Sequence, residues 1–210
     1  MRDLNTEERS RRAEIVIAQG GILPYCEAFY VHSILYAAKQ CQQAFSRYAE
    51  ARIAALPAED LIAAVQAAVG HAAALSRYFW PSRTNGKRLD SGSRLRKQRG
   101  ERLRASFQVT ENSPLSNRDL RNAWEHFDED LDRFLLATTA GVFLPSGIVG
   151  SHSLADDPLE HVFKLLDPET ECLVLLNKKY FFGDIRTEVD RIAAIATDGN
   201  GNGARLRRPS

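Results

Sequence analysis

Apolar residues recur along most of the chain at the spacing that predicts α-helices. After a polar segment over residues 1–21, Pro24 opens a long run in which apolar and aromatic residues recur every three or four positions. A proline at the first helical position followed by this period indicates one long amphipathic helix. Pro57 opens a second, alanine-rich run that reaches Trp80, and Pro81 stops it. We expect these two helices to pack closely, because alanine side chains let helix backbones approach.

A third helix is predicted over residues 118–138. Ser116 and Asp119 have the spacing of a capping box, in which two side chains satisfy free backbone N–H groups at a helix start. Placing the residues that follow at 100° steps gathers the apolar side chains in one sector of the helix. These are Leu120, Ala123, Trp124, Phe127, Leu131, Phe134 and Leu135.

The pattern changes in the last third of the chain. Residues 141–158 have the composition of a loop, and His161–Phe182 holds two β-rich runs around a turn at Pro168, which predicts a β-hairpin. A final helix is predicted over residues 184–196, and residues 198–210 have the composition of a flexible basic tail. The histidines near the hairpin have no evident partner in the sequence.

These elements together predict a mainly α fold. We expect an antiparallel helical bundle over residues 22–140, with a C-terminal loop, β-hairpin and helix appended over residues 141–197. The chain has 210 residues, 44% of them hydrophobic and 26% charged, the proportions of a globular protein that buries a core without disulfides. His32 and His71 fall within apolar helical patterns, which predicts core or interface histidines.

Cysteine usage gives no sign of a metal or disulfide site. The three cysteines, Cys26, Cys41 and Cys172, form no CxxC pair and have no neighbouring pair of histidines, so we expect reduced thiols and neither a metal ion nor another cofactor. The first residues are charged where a secretory signal is apolar, and no run reaches the length of a membrane span. We therefore expect a cytoplasmic protein that makes no membrane contact.

Positive charge is concentrated in one segment. The net charge is +1, yet Arg83 to Arg104 carries nine Lys or Arg against two acids, so this segment is +7 and the rest of the chain is −6. Residues 82–104 are predicted to form an exposed loop that ends in a short basic helix. Such a segment attracts polyanions, and RNA is the expected partner. The basic candidates for substrate binding are Arg94, Arg96, Lys97, Arg99 and Arg102, with Arg118 on the third helix.

Aromatic residues precede this basic segment. The side chains of Tyr78, Phe79 and Trp80 are suited to stacking on RNA bases. Aromatic residues at a helix end also close the core of a bundle, and we expect this structural role for Phe79 and Trp80. The basic residues have a corresponding alternative, in which they form a solvated loop without a ligand.

The third helix carries the sequence RNAWEH, in which Arg121 and His126 are separated by four residues and Asn122 follows the arginine. This motif resembles the R-x4-6-H signature of the HEPN superfamily, and the resemblance covers residues 22–138. It implies a helical bundle with metal-independent endoribonuclease activity, of the kind found in toxin–antitoxin, abortive-infection and CRISPR systems. His126 would be the acid or base, Arg121 the phosphate clamp and Asn122 the residue that orients the imidazole.

These residue types suit RNA cleavage without a metal. Histidine transfers protons near neutral pH, and arginine presents fixed donors to phosphate oxygens. On one helix, however, five residues at 100° leave Arg121 and His126 about 140° apart, so one helix supplies half a site. The resemblance implies a homodimer whose cleft holds both motifs.

Two other functions stay open at this point. The chain could be a non-catalytic HEPN-like module that binds RNA, a nucleotide or a protein such as an antitoxin, since a fold does not fix a function. It could also be an interaction protein in which the spacing of Arg121 and His126 is accidental, with the acidic residues beside them forming a solvated face. No Walker A, GxGxxG or GxSxG sequence is present, so nucleotide hydrolase, dehydrogenase and esterase activities have no support.

Overall fold

The structure is a computed structural model that describes residues 5–81, 90–138 and 140–207. These residues form seven α-helices and one four-stranded sheet, which confirms a mainly α chain with β elements towards the C-terminus. The helices are α1 (Thr6–Ala18), α2 (Glu27–Ile53), α3 (Ala58–Phe79), α4 (Ser91–Phe107), α5 (Asp119–Glu125), α6 (Phe127–Ala137) and α7 (Gly183–Gly201). The strands are β1 (Val142–Val149), β2 (Glu160–Asp167), β3 (Cys172–Leu175) and β4 (Lys178–Phe181).

Helices α2 and α3 form the centre of the core, and α7 packs against α2. The two predicted long helices are therefore confirmed. On α3 the buried face includes Ala68 and Ala72, small residues that let α2 approach closely. Phe182, fully buried just before α7, has its ring centroid 6.2 Å from that of Phe45 and 5.9 Å from that of Tyr48. The buried positions of α2 recur every three or four residues and include Val31, Ile34, Ala38, Cys41 and Phe45.

The sheet has the order β1-β2-β3-β4. Strands β2 and β3 form the predicted antiparallel hairpin, and the Asp167 carboxylate accepts the backbone N–H of Glu169 at 3.0 Å at its turn. The loop predicted over residues 141–158 is wrong in its first half, because β1 lies there, parallel to β2. Pro145 gave this stretch the composition of a loop. It is accommodated in β1 because β1 is an edge strand whose register shifts between Leu144 and Gly147.

Two helices occupy segments in which the sequence predicts no helix or a shorter one. The polar N-terminal segment contains α1, which buries only Ala13 and packs against α4. Helix α4 begins at Ser91, so the loop predicted there is helical, and the Asp90 carboxylate caps it by accepting the Ser93 N–H at 2.7 Å. The remaining part of the predicted loop, residues 82–89, lies outside the described residues.

The helix predicted over residues 118–138 is divided in two. Ser116 does not cap it, since this residue ends a short 3-10 turn and the Asn117 side chain instead accepts the Asp119 N–H at 2.7 Å. The chain then bends at His126, whose φ of −115° and ψ of 27° separate α5 from α6. Helix α5 packs on α3, while the Phe127 ring at the start of α6 turns to the sheet.

The predicted flexible tail is ordered over the part that the structure describes. Helix α7 continues to Gly201, and Ala204 and Leu206 are buried beyond it. The Leu206 backbone N–H donates to the Glu27 carboxylate at 3.2 Å, and the Arg205 guanidinium donates to the Pro24 carbonyl at 2.7 Å. Two apolar residues in an otherwise polar stretch thus anchor the chain end against the start of α2. Residues 208–210 lie outside the described part.

Candidate functional site

His126 lies at the bend between α5 and α6, with its side chain exposed to solvent. Its backbone N–H still donates to the Asn122 carbonyl at 2.9 Å, and its own carbonyl accepts the Asp130 N–H at 3.0 Å. The imidazole Nδ1 is 3.8 Å from the Glu129 carboxylate. The backbone hydrogen bonds fix the position of His126, while the ring itself is accessible to a ligand.

An open cleft of about 630 Å³ runs between α5, α6 and strand β4. Its lining includes Asn122 and His126 on the helical side and Lys178, Lys179 and Tyr180 on the strand. Two of the three predicted catalytic residues therefore share one cleft. That β4 faces them could not be predicted from the sequence, because the order of the strands in the sheet decides which strand lies beside α5.

The two lysines of the cleft differ in their availability. Lys179 donates to the Asp156 carboxylate at 2.6 Å and is partly buried, whereas Lys178 is exposed on the cleft wall. The neighbouring Tyr180 hydroxyl has its pKa raised by burial and by the carboxylates Asp130 and Asp119. Tyr180 is therefore a neutral hydrogen-bond donor at neutral pH, and Lys178 is an exposed cation in the cleft that His126 lines. Arg133, which also lines the cleft, pairs with Glu129 and Asp130.

Arg121 faces a different part of the molecule. It lines a narrow groove with Ser76 of α3, Arg118 and Ile185 of α7, and its side chain is only 19% exposed. The guanidinium Nε lies 3.3 Å from the Glu125 carboxylate but makes no hydrogen bond to a described residue. Within one chain, then, Arg121 and His126 do not line the same cleft.

Two of the predicted substrate-binding arginines, Arg118 and Arg102, donate to backbone carbonyls near helix ends. Arg118 donates to the Trp80 carbonyl at 2.7 Å, which satisfies the C-terminal end of α3. Arg102 donates to the carbonyls of Gln19 at 3.0 Å and Ile22 at 2.8 Å, and it also pairs with the buried Glu27 carboxylate. These contacts join the ends of helices, and a role of either arginine with RNA stays a prediction.

The other basic candidates lie along α4. Arg94 pairs with Glu14 of α1, and Arg96 donates to the Ser93 hydroxyl at 3.0 Å. The Lys97 ammonium is 3.8 Å from the Glu101 carboxylate but largely exposed, and the Arg99 guanidinium lies 5.8 Å from the centre of the Tyr30 ring. Acidic and aromatic neighbours therefore offset part of the positive charge that the sequence places here.

An aromatic cluster holds the bend next to His126. The Lys164 ammonium on β2 lies 5.1 Å from the centre of the Trp124 ring, 4.7 Å from that of Phe127 and 4.8 Å from that of Phe163. Burial among these rings lowers the pKa of Lys164. Because Trp124 and Phe127 lie on either side of His126 in the sequence, this cation–π cluster fixes the bend to the sheet.

The remaining histidines have partners or positions that the sequence did not indicate. His152 Nδ1 lies 2.7 Å from the Asp167 carboxylate, and His161 Nε2 lies 2.7 Å from the Ala140 carbonyl. Burial raises the pKa of Asp167, but hydrogen bonds from His152 and Thr170 outweigh it and hold this pKa well below its usual range. His32 is exposed on α2, so it is not a core histidine.

Phe79 is fully buried, as predicted, and its ring centroid lies 5.7 Å from that of Phe107. Trp80 is partly exposed and donates its indole N–H to Glu111 at 3.2 Å. Among the described residues, no group of three or more His, Cys, Asp or Glu side chains is placed to hold a metal ion, and no helix has the length and apolarity needed to cross a membrane.

Comparison with protein-family models, with curated proteins and with solved structures finds no match for this chain.

Proposed function

We propose that the protein is a HEPN-like, metal-independent endoribonuclease whose active site is the cleft around His126. The observation that carries the proposal is the shared cleft of His126, Asn122 and Lys178, which joins an accessible imidazole to an accessible cation. The RNAWEH motif and its resemblance to the HEPN signature support the same reaction.

The reaction needs two things from the protein, a general base and groups that stabilise negative charge. His126 takes the proton of a ribose 2′-hydroxyl, and the 2′-oxygen then attacks the adjacent phosphorus. The Lys178 ammonium and the Tyr180 hydroxyl stabilise the charge on the pentacoordinate phosphorane. The bond from phosphorus to the 5′-oxygen breaks, the leaving oxygen takes a proton from water in the open cleft, and His126 returns its proton to solvent. The products are a 2′,3′-cyclic phosphate and a 5′-hydroxyl.

This assignment gives Arg121 a different role from the one that the resemblance implies. Lys178 supplies a cation within the same chain, so cleavage does not depend on Arg121 contacting the phosphate. Arg121, largely buried between α3 and α7, is expected to support the position of α5. The exposed Lys97 on α4 would attract RNA through its phosphates, and this attraction weakens as salt concentration rises.

The test is cleavage of end-labelled single-stranded RNA in excess EDTA by purified wild-type protein and single variants. We expect His126→Ala to lower the rate by about 100-fold or more, the usual contribution of a positioned general base. Lys178→Ala should also lower the rate, and Lys39→Ala, which removes an exposed lysine from α2, is the matched control with unchanged activity. Equal cleavage by wild type and His126→Ala would exclude His126 as the catalyst.

A second candidate function is an RNA-binding module without catalysis. The position of Arg121 outside the cleft favours it, because the motif is then not assembled within one chain. In this case the wild-type protein retains RNA on a filter at low salt but leaves it intact, and Lys178→Ala weakens retention more than His126→Ala.

A further inference from the structure

Helix α2 carries a second apolar face that nothing in the described chain covers. Tyr25, just before the helix, is 74% exposed, and Phe29 and Tyr36 on the helix are 72% and 68% exposed. At 100° per residue, Phe29, His32 and Tyr36 fall within about 60° of one another. The buried core positions of α2, such as Ala38, lie on the opposite side of the helix. Helix α2 therefore has a core face and a separate, exposed aromatic stripe.

A groove between α2 and α3 widens this stripe into a surface. Its volume is about 450 Å³, and its lining includes His32, Tyr36 and Gln40 of α2 and His71 and Tyr78 of α3. Among the residues that the structure describes, this lining contains no Asp, Glu, Lys or Arg. The groove lining is thus aromatic and uncharged, in a chain in which 26% of the residues are charged, and Lys39 of α2 lies outside this lining.

The exposed apolar area is large for a surface with no partner. An aromatic side chain offers about 150–250 Å² when fully exposed, so the three most exposed rings present roughly 400 Å² to water. The largest apolar patch on a typical monomer is about 300–600 Å² and is often functional. The three rings alone supply about half of the roughly 800 Å² that each partner contributes to a stable interface, and the groove wall on α3 adds to them.

The lack of charge distinguishes the possible occupants. An RNA-binding surface combines stacking rings with cations that contact phosphates, and this lining provides no cation. A twofold interface, in contrast, brings each residue near the axis close to its own copy, so an uncharged patch can meet itself without repulsion between like charges. The spacing of four, three and four residues from Tyr25 through Phe29 and His32 to Tyr36 is also that of a helix–helix seam.

We infer that the α2 stripe is the contact surface for a second copy of this chain. The two α2 helices pack antiparallel, with Phe29 and Tyr36 of each copy against the groove of the other and His32 near the twofold axis. Lys39, at the edge of the stripe, belongs to the solvated rim of the interface. This contact does not depend on the chemistry of the His126 cleft.

The experiment compares the mass of the full chain in solution, without RNA, by light scattering and sedimentation over the micromolar range. Wild-type protein is expected at twice the chain mass of 23.5 kDa. The double variant Phe29→Glu with Tyr36→Glu should be monomeric, with the dimer dissociation constant raised at least about 100-fold, since two aromatic anchors are lost from each copy. Ile53→Glu is the matched control, because Ile53 is 87% exposed on the same helix but lies off the stripe.

Both substituted aromatic residues are largely exposed, so the double variant should keep the wild-type circular dichroism and thermal melting of a folded monomer. A wild-type protein that remains monomeric over the whole concentration range would overturn the inference. A double variant that remains dimeric would also overturn it. If wild type and variant are both monomers and the variant has lost RNA retention on a filter, the inference is likewise overturned, and the stripe is an RNA-stacking surface instead.

Discussion

Replacing Arg102 with methionine tests how the two ends of the chain are held to the bundle. The Arg102 guanidinium bridges the Gln19 and Ile22 carbonyls after α1 and the Glu27 carboxylate in the first turn of α2. Glu27 is buried, and its second oxygen accepts the Leu206 N–H from the end of the chain. One guanidinium therefore connects α1, α2 and α4, and through Glu27 also the C-terminal segment.

The size of the effect follows from the burial of Glu27. Methionine keeps most of the apolar stem of Arg102 but removes the nearer of two cations at the Glu27 carboxylate, since Arg205 lies 3.9 Å from its other oxygen. It also leaves the Gln19 and Ile22 carbonyls without this donor. Removing one partner of a buried ion pair costs about 3–5 kcal/mol. Arg102 is itself 26% exposed, so water can reach part of the site and the lower end of this range, about 3 kcal/mol, is expected.

Urea unfolding followed by far-ultraviolet circular dichroism measures this free energy. Lys97→Met is the control, since Lys97 lies on the same helix in an exposed pair and its loss should cost less than about 0.5 kcal/mol. The double variant Arg102→Met with Glu27→Gln should be less destabilised than the sum of its single variants, because the glutamine leaves no buried charge to compensate. A cost below about 1 kcal/mol for Arg102→Met would refute the argument that Glu27 depends on this cation.

Three further predictions concern the core, the hairpin turn and the thiols. Phe182→Ala should cost about 3–5 kcal/mol, measured by thermal melting, because Phe182 is fully buried against Phe45; a loss below about 1 kcal/mol would contradict this packing. Asp167→Asn should destabilise the protein at pH 7, and its difference from wild type in urea unfolding should shrink below about pH 4, because a carboxyl with a lowered pKa stabilises the fold only while ionised; a difference independent of pH would contradict it. Burial raises the pKa of Cys41 to about 12, so a thiol reagent at pH 8 should modify Cys26 in the native protein and Cys41 only after unfolding; equal rates for both would contradict this.

Periodicity predicted the helices of the core but could not assign their faces. The spacing of three and four residues placed α2 correctly, yet it does not distinguish Tyr36, which is exposed, from Leu35, which is buried. Two apolar faces on one helix give the same sequence signal as one wide face. Only the packing of α3 and α7 against one side of α2 distinguishes them.

Tertiary contacts decide the elements that the sequence misjudged. Helix α1 has almost no apolar period and is held by contacts with α4, such as the pair of Glu14 with Arg94. Strand β1 contains Pro145 and was predicted as a loop, because an edge position in a sheet cannot be inferred from the segment itself. The rings of Trp124 and Phe127, next to the bend at His126, contact Lys164, which lies far away in sequence.

The residues of the candidate site were likewise predicted only in part from the sequence. The RNAWEH motif identified Asn122 and His126, which share a cleft, and Arg121, which does not line it. Lys178 and Tyr180 carry no recognisable motif, and a basic residue next to an aromatic one at a strand start is common. Their relevance follows from the position of β4 beside α5, which requires the topology of the whole sheet.

Helix α6 buries none of its residues, although it forms one wall of the cleft. A helix held by so little buried surface opens at a small fraction of the free energy needed to unfold the whole chain. Its backbone amides should therefore exchange with deuterium much faster than those of α2, which lies in the core. Because His126 is the last residue before α6, the proposed site borders a helix that can open locally while the core helices α2 and α3 stay folded.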